Sequence, residues 1–146
     1  MPEVLTFNGQ VLLSPDGKPL LAPSTDNITM GIIYNTVNSN GEPIVATIKG
    51  KKVSDNAFYN SSTLLSAIIE DGISTIGTNA FSSCPALTSV IIPITVTNIL
   101  DGAFGGCNLL SNVYYAGSQA QWNSIRISLN NSPLINATIH YNWRDE

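Results

Sequence analysis

A chain of 146 residues with 43% apolar side chains fits one domain able to bury a continuous core. Its net charge of −4 and pI near 4.7 argue against nucleic acid as the partner, because phosphate neutralisation needs clustered Lys and Arg. Charged residues make up only 11% of the chain, against a usual ~25%, and Asn, Ser and Thr stand in their place.

In chain order, residues 1–43 read as β-hairpins. Val4-Leu-Thr-Phe7 runs into Asn8-Gly9, a pair suited to the positive-φ positions of a type I′ turn. Gln10-Val-Leu-Leu-Ser14 meets a second turn signal at Pro15-Asp-Gly-Lys-Pro19. Ile28-Thr-Met-Gly-Ile-Ile-Tyr34 predicts a further strand, closed by Asn38-Ser-Asn-Gly-Glu-Pro43. This segment reads either as a cap over the first coil of a stacked array or as an anchoring, oligomerising piece. The start lacks the basic stretch and apolar run of a secretory signal, and no apolar run approaches the ~18 residues of a membrane span. Insertion into a membrane is therefore not expected. Lys49, Lys51 and Lys52 form the one basic cluster, read as a solvated turn.

From residue 44 the chain repeats. Ala57-Phe58, Ala80-Phe81 and Ala103-Phe104 recur at intervals of 23 residues. At the same spacing Val53, Ile76, Ile99 and Trp122 share a column, as do Leu64, Leu87 and Leu110. Ala67, Val90 and Val113 form another, and Ile69, Ile92 and Tyr115 a fourth. One apolar strand per unit, at a period of about 20–29 residues, is the leucine-rich pattern. A parallel β-helix is the rival, but each unit has one long β-rich stretch, and Asn79-Ala-Phe-Ser-Ser reads as a tight or helical turn. The expected fold is mainly β with short helical turns: a leucine-rich-repeat solenoid of about three and a half 23-residue coils over 44–146, with a C-terminal cap over 117–146.

Ile76-Gly-Thr-Asn-Ala-Phe-Ser-Ser-Cys-Pro-Ala-Leu-Thr-Ser-Val-Ile-Ile-Pro93 resembles the unit of the BspA-like leucine-rich repeats, also called the Treponema pallidum type. Val113-Tyr-Tyr-Ala-Gly-Ser-Gln-Ala-Gln-Trp122 and Ala137-Thr-Ile-His-Tyr141 resemble the closing segment seen in that family. The resemblance covers residues 44–146. It implies surface-exposed, non-catalytic binding proteins of bacteria, some protists and mobile elements that infect bacteria.

Because side chains alternate along a strand, inward Val90 and Ile92 leave Ile91 on the outer sheet surface. The 23-residue spacing places Val45, Ile68, Ile91 and Tyr114 in that outward column, apolar at every level. In the family it resembles, this position is commonly polar. At ~4.8 Å per strand the four predict a stripe roughly 15 Å long, the candidate interaction surface. Cover by the N-terminal hairpins would hide it within the chain, and a one-residue slip of register would remove it. Beside it, Leu65, Thr88 and Ser111 form one edge, and Ser66, Ser89 and Asn112 are inward-or-edge partners.

Sites for chemistry are scarce. Cys84 and Cys107 share a column on neighbouring coils and read as reduced, buried thiols, because parallel in-register pairs seldom present the disulfide torsion. His140 is the sole histidine and reads as a satisfied edge residue. Glu70-Asp71 are sequence neighbours and do not form a working carboxylate pair across a bond. No Gly-x-Ser-x-Gly, dinucleotide or phosphate-loop motif occurs. Asn27-Ile-Thr, Asn60-Ser-Ser, Asn130-Asn-Ser and Asn136-Ala-Thr match the glycosylation pattern, as chance allows in so Asn-, Ser- and Thr-rich a chain. Neither enzyme activity, cofactor nor metal is expected.

Function should therefore lie in binding or assembly through the sheet face or the N-terminal segment. The absent signal, the extra N-terminal segment and the stripe favour a virion exterior: a structural or host-contacting component of a bacteriophage-like particle. The alternative is a bacterial cell-surface adhesin module that binds host protein or glycan.

Overall fold

The computed structural model describes Thr6–Phe7, Gln10–Val11 and residues 32–144. Strands β1 (Thr6–Phe7) and β2 (Gln10–Val11) pair antiparallel with Phe7 opposite Gln10, as the hairpin reading expects. The Asn8-Gly9 and Pro15–Pro19 turn signals lie outside the described residues. Strand β3 (Ile32–Val37) turns back through residues 38–42 into β4 (Pro43–Lys49), so the third predicted strand is present over Ile32–Val37, and the first part of its predicted range lies outside the described residues. The Asn38 side chain closes that turn, its Oδ1 accepting from the amides of Asn40 (2.9 Å) and Glu42 (3.0 Å).

The repeat builds two parallel sheets. The long one runs β12-β10-β8-β6-β4-β3, with β6 (Ser66–Ile69), β8 (Ser89–Ile92), β10 (Asn112–Tyr115) and β12 (Thr138–His140). All its pairings are parallel except β3 with β4 at the edge. A second sheet stacks β5 (Lys52–Val53), β7 (Thr75–Ile76), β9 (Asn98–Ile99) and β11 (Arg126–Ile127). Each coil thus has one longer strand, a corner, a two-residue strand and a non-strand return.

That return matches the predicted tight turn, and its chemistry repeats with the chain. Asn56, Asn79 and Gly102 have φ of 58°, 56° and 64°, while Asn60, Ser83 and Gly106 have 64°, 58° and 75°. Positive φ suits Gly and Asn, so Ser83 is the one member of either column without that preference. Each turn donates its amides to the next coil, as Phe58 does to Ala80 O and Phe81 to Ala103 O, both at 2.7 Å.

Between the sheets lies one continuous core. The rings of Phe58, Phe81 and Phe104 stack at 5.6 and 5.2 Å, nearly parallel. Leu64, Leu87 and Leu110 are buried in one column, Ala67, Val90 and Val113 in another, and Ile69, Ile92 and Tyr115 in a third. No coil could bury this surface alone, so neighbours complete one another's core. Burial pushes the Tyr115 phenol above its usual range.

Two predicted columns need correction. Val53, Ile76 and Ile99 are continued by Ile127, not Trp122. The last coil inserts α1 (Gln119–Asn123) before its short strand, and Trp122 on that helix packs edge-on to Tyr115 at 5.2 Å. At the other end Ala46, Thr47 and Ile48 pair with Ala67, Ile68 and Ile69, where the 23-residue spacing expected Ile44, Val45 and Ala46. The corner through Gly50 and Lys51, between Ile48 and Val53, is two residues shorter than its counterpart between Ile69 and Ile76. The spacing therefore fails in the first coil.

Candidate functional site

The outer face of the long sheet carries two rows. Alternation along β6, β8 and β10 holds as expected: Ile69, Ile92 and Tyr115 point into the core, while Ile68, Ile91 and Tyr114 stand half-buried on the outside. Register completes this row as Thr47, Ile68, Ile91, Tyr114 and His140. Val45, predicted to belong to it, lies opposite Ser66 in the neighbouring row with Ser89, Asn112 and Thr138. The physical reason is the short first corner, which displaces β4 by two positions. The apolar stripe accordingly has three members rather than four, about 10 Å at the usual strand spacing. Ser66, Ser89 and Asn112, read as inward-or-edge, are outward and half-buried.

Aromatic groups close the stripe at its C-terminal end. Tyr114 stacks on His140 with ring centroids 4.7 Å apart and planes within 13°. Trp143 leans against Tyr114 at 5.6 Å and 53°, and its amide donates to Tyr115 O at 2.9 Å. The Asn142 amide anchors the same tail to Gly117 O at 2.8 Å. His140 Nε2 donates to Asn112 Oδ1 at 2.9 Å, so the edge histidine is satisfied, as its sequence position predicted. Stacked on Tyr114 and bonded to an amide, its ring is fixed in orientation.

A shallow cleft of ≈ 190 Å³ opens between the stripe and the tail, lined by Ile68, Ile91, Pro93, Ala116 and Trp143 together with Glu70 and Asp71. Sequence reasoning missed Trp143 and His140 as parts of this face. Neither follows the 23-residue spacing, because α2 (Ser132–Asn136) lengthens the final turn. The signal that could have found them is the aromatic density of the closing segment.

The thiols are structural. Cys84 and Cys107 are free and buried; their Sγ atoms donate to Phe58 O at 3.0 Å and Phe81 O at 2.9 Å, in the preceding coil in each case. Contact with the Cys84 thiol, and then burial, push the Cys107 thiol far above its ordinary range, which keeps it protonated. Among the described residues no group of three or more His, Cys, Asp or Glu could hold a metal ion, and no helix is long and apolar enough to cross a membrane.

Comparison with known protein families agrees with this architecture. The family model described as BspA type leucine-rich repeat region (6 copies) matches residues 28–142. No curated protein matches the sequence significantly. Among solved structures, a leucine-rich cell surface protein from Faecalibacterium prausnitzii is 24% identical, aligned over 66% of this chain with a TM-score of 0.39. The alignment covers 40% of that protein's chain.

Proposed function

The chain belongs to the BspA-type leucine-rich repeat family, and on that premise we propose that it is a non-catalytic binding module whose partner docks on the outer face of the long sheet. The observation that carries the reading is the face itself. Ile68, Ile91 and Tyr114 stand in register at adjacent levels, beside a row of hydroxyl and amide side chains. A contiguous apolar row rimmed by polar groups is the pattern of an interface rather than of scattered surface apolars. Leucine-rich repeats generally serve as such scaffolds, and nothing in the chemistry around His140 asks for a reaction.

Family membership favours a bacterial surface setting, with a host protein or glycan as partner. The exterior of a bacteriophage-like particle rests on sequence features alone and is the weaker of the two placements. The test is binding of the tagged full chain to cultured epithelial cells and to immobilised extracellular-matrix proteins, beside Ile91→Asp and Leu129→Asp. Leu129 is 75% exposed and outside both sheets, so its variant controls for a new surface charge. Saturable binding lost in Ile91→Asp and kept in Leu129→Asp, with unchanged melting, supports the reading. Equal binding by all three proteins sinks it. Light scattering on the same samples asks about self-association: a wild-type oligomer dissociated by Ile91→Asp would make a second copy the partner.

A further inference from the structure

The cleft beside Trp143 has a narrower chemistry than the face around it. At ≈ 190 Å³ it falls below the ~300–1,000 Å³ of pockets that hold whole small-molecule ligands. There is room for one side chain. Ile68, Ile91, Pro93 and Trp143 supply its apolar lining, and Glu70 and Asp71 supply the charge. No basic side chain lines it; Lys49 and Lys51 belong to an adjoining groove that shares Glu70 and Asp71.

We propose that this cleft is an anchor pocket for a Lys or Arg side chain of a protein partner. The inference rests on the reading of the sheet face as the binding surface and names what that surface grips. A long basic side chain is the one type that uses both linings. Its aliphatic stem covers the isoleucines and its charged end meets carboxylates. The indole of Trp143 adds the best aromatic partner for a cation, already oriented by its backbone bond to Tyr115 and by the Tyr114 ring. An acidic anchor would meet like charge, and a neutral sugar would make no use of the charge of Glu70 and Asp71. The chain's net charge of −4 draws a basic partner in the same sense.

The experiment is an NMR titration of the isotope-labelled full chain with acetyl-Ala-Val-Lys-Val-Ala-amide and its Arg counterpart. Controls carry norleucine or Glu in place of the basic residue. The Trp143 indole N–H and the amides of Ile68 and Ile91 should shift saturably with the basic peptides. Binding should be roughly five- to tenfold weaker with norleucine, absent with Glu, and weakened by added salt. The double variant Glu70→Gln/Asp71→Asn should match the norleucine loss without a change in melting. Equal binding of the norleucine or Glu peptide overturns the proposal. So does a response of these signals to a neutral oligosaccharide such as chitotetraose with none to the basic peptides. The two readings fail separately. If Ile91→Asp abolishes cell or matrix binding and the Glu70→Gln/Asp71→Asn variant leaves it intact, the binding face stands and the basic anchor falls. If Ile91→Asp has no effect, the face itself falls.

Discussion

Asn131 joins the last coil to the one before it. It is the one buried polar side chain among the described residues, and its Oδ1 accepts from Phe104 N at 2.9 Å. In the preceding coils that amide position donates to a backbone carbonyl of the next coil, at Ala80 and Ala103. In the last coil the Asn131 side chain thus takes the place of that backbone carbonyl, while its Nδ2 donates to Leu100 O and Ser128 O, both at 3.0 Å. Asn131→Ala leaves a buried amide and carbonyls unpaired, so we expect a loss of about 2–3 kcal/mol, read from the urea midpoint. Titration gives a second expectation. The folded Cys107 thiol holds its proton well above the ordinary value of 9.0, whereas the unfolded chain releases it near that value. The Cys107 contribution to folding stability should therefore be fully present below the ordinary thiol value and be lost as pH rises above it. Cys107→Val should flatten this alkaline fall in urea-midpoint measurements; a slope unchanged by the substitution would assign it to other groups.

At the scale of elements, the coils are held apart by little more than backbone. A Cβ at Gly77 would lie 2.6 Å from Val53 O and 2.7 Å from Asp55 N, both main-chain atoms of the coil before. Gly77→Ala must therefore separate β5 from β7, and we expect it to cost about 1–3 kcal/mol, comparable to overpacking a core. Differential scanning calorimetry checks this, with Gly41→Ala as a contrast. Gly41 has open space around it, and its φ of 78° makes the cost one of backbone strain alone. Hydroxyls stitch the same layers. Ser74 Oγ donates to Lys51 O and Thr97 Oγ1 to Ser74 O, each at 3.3 Å and each across 23 residues. This explains why Ser and Thr replace charge in the composition. The repeat columns were legible because they report this layer-to-layer contact. They failed at Val45 and Trp122 because a corner of different length and an inserted helix change the count without changing the packing.

For the whole molecule, stability should be a sum over coils and the contacts between neighbours. Duplicating residues 77–99 in frame should then give a folded, longer solenoid with a steeper denaturant dependence, since more surface is exposed on unfolding. Circular dichroism and urea titration would show it; an unfolded or molten product would mean that the caps constrain the length. The sequence by itself determined the periodicity, the inward and outward alternation about Ile91 and the buried state of the thiols. Each of these is a local rule repeated at fixed spacing, and a repeat states its own register. Only the tertiary structure decided which strand residues share an outer row, because that depends on corner lengths that no side chain advertises. It alone brought Trp143 and His140 against Tyr114 and placed Glu70 and Asp71 in the cleft that Trp143 lines. Those contacts join segments that obey no common period, and chain closure rather than local preference puts them together.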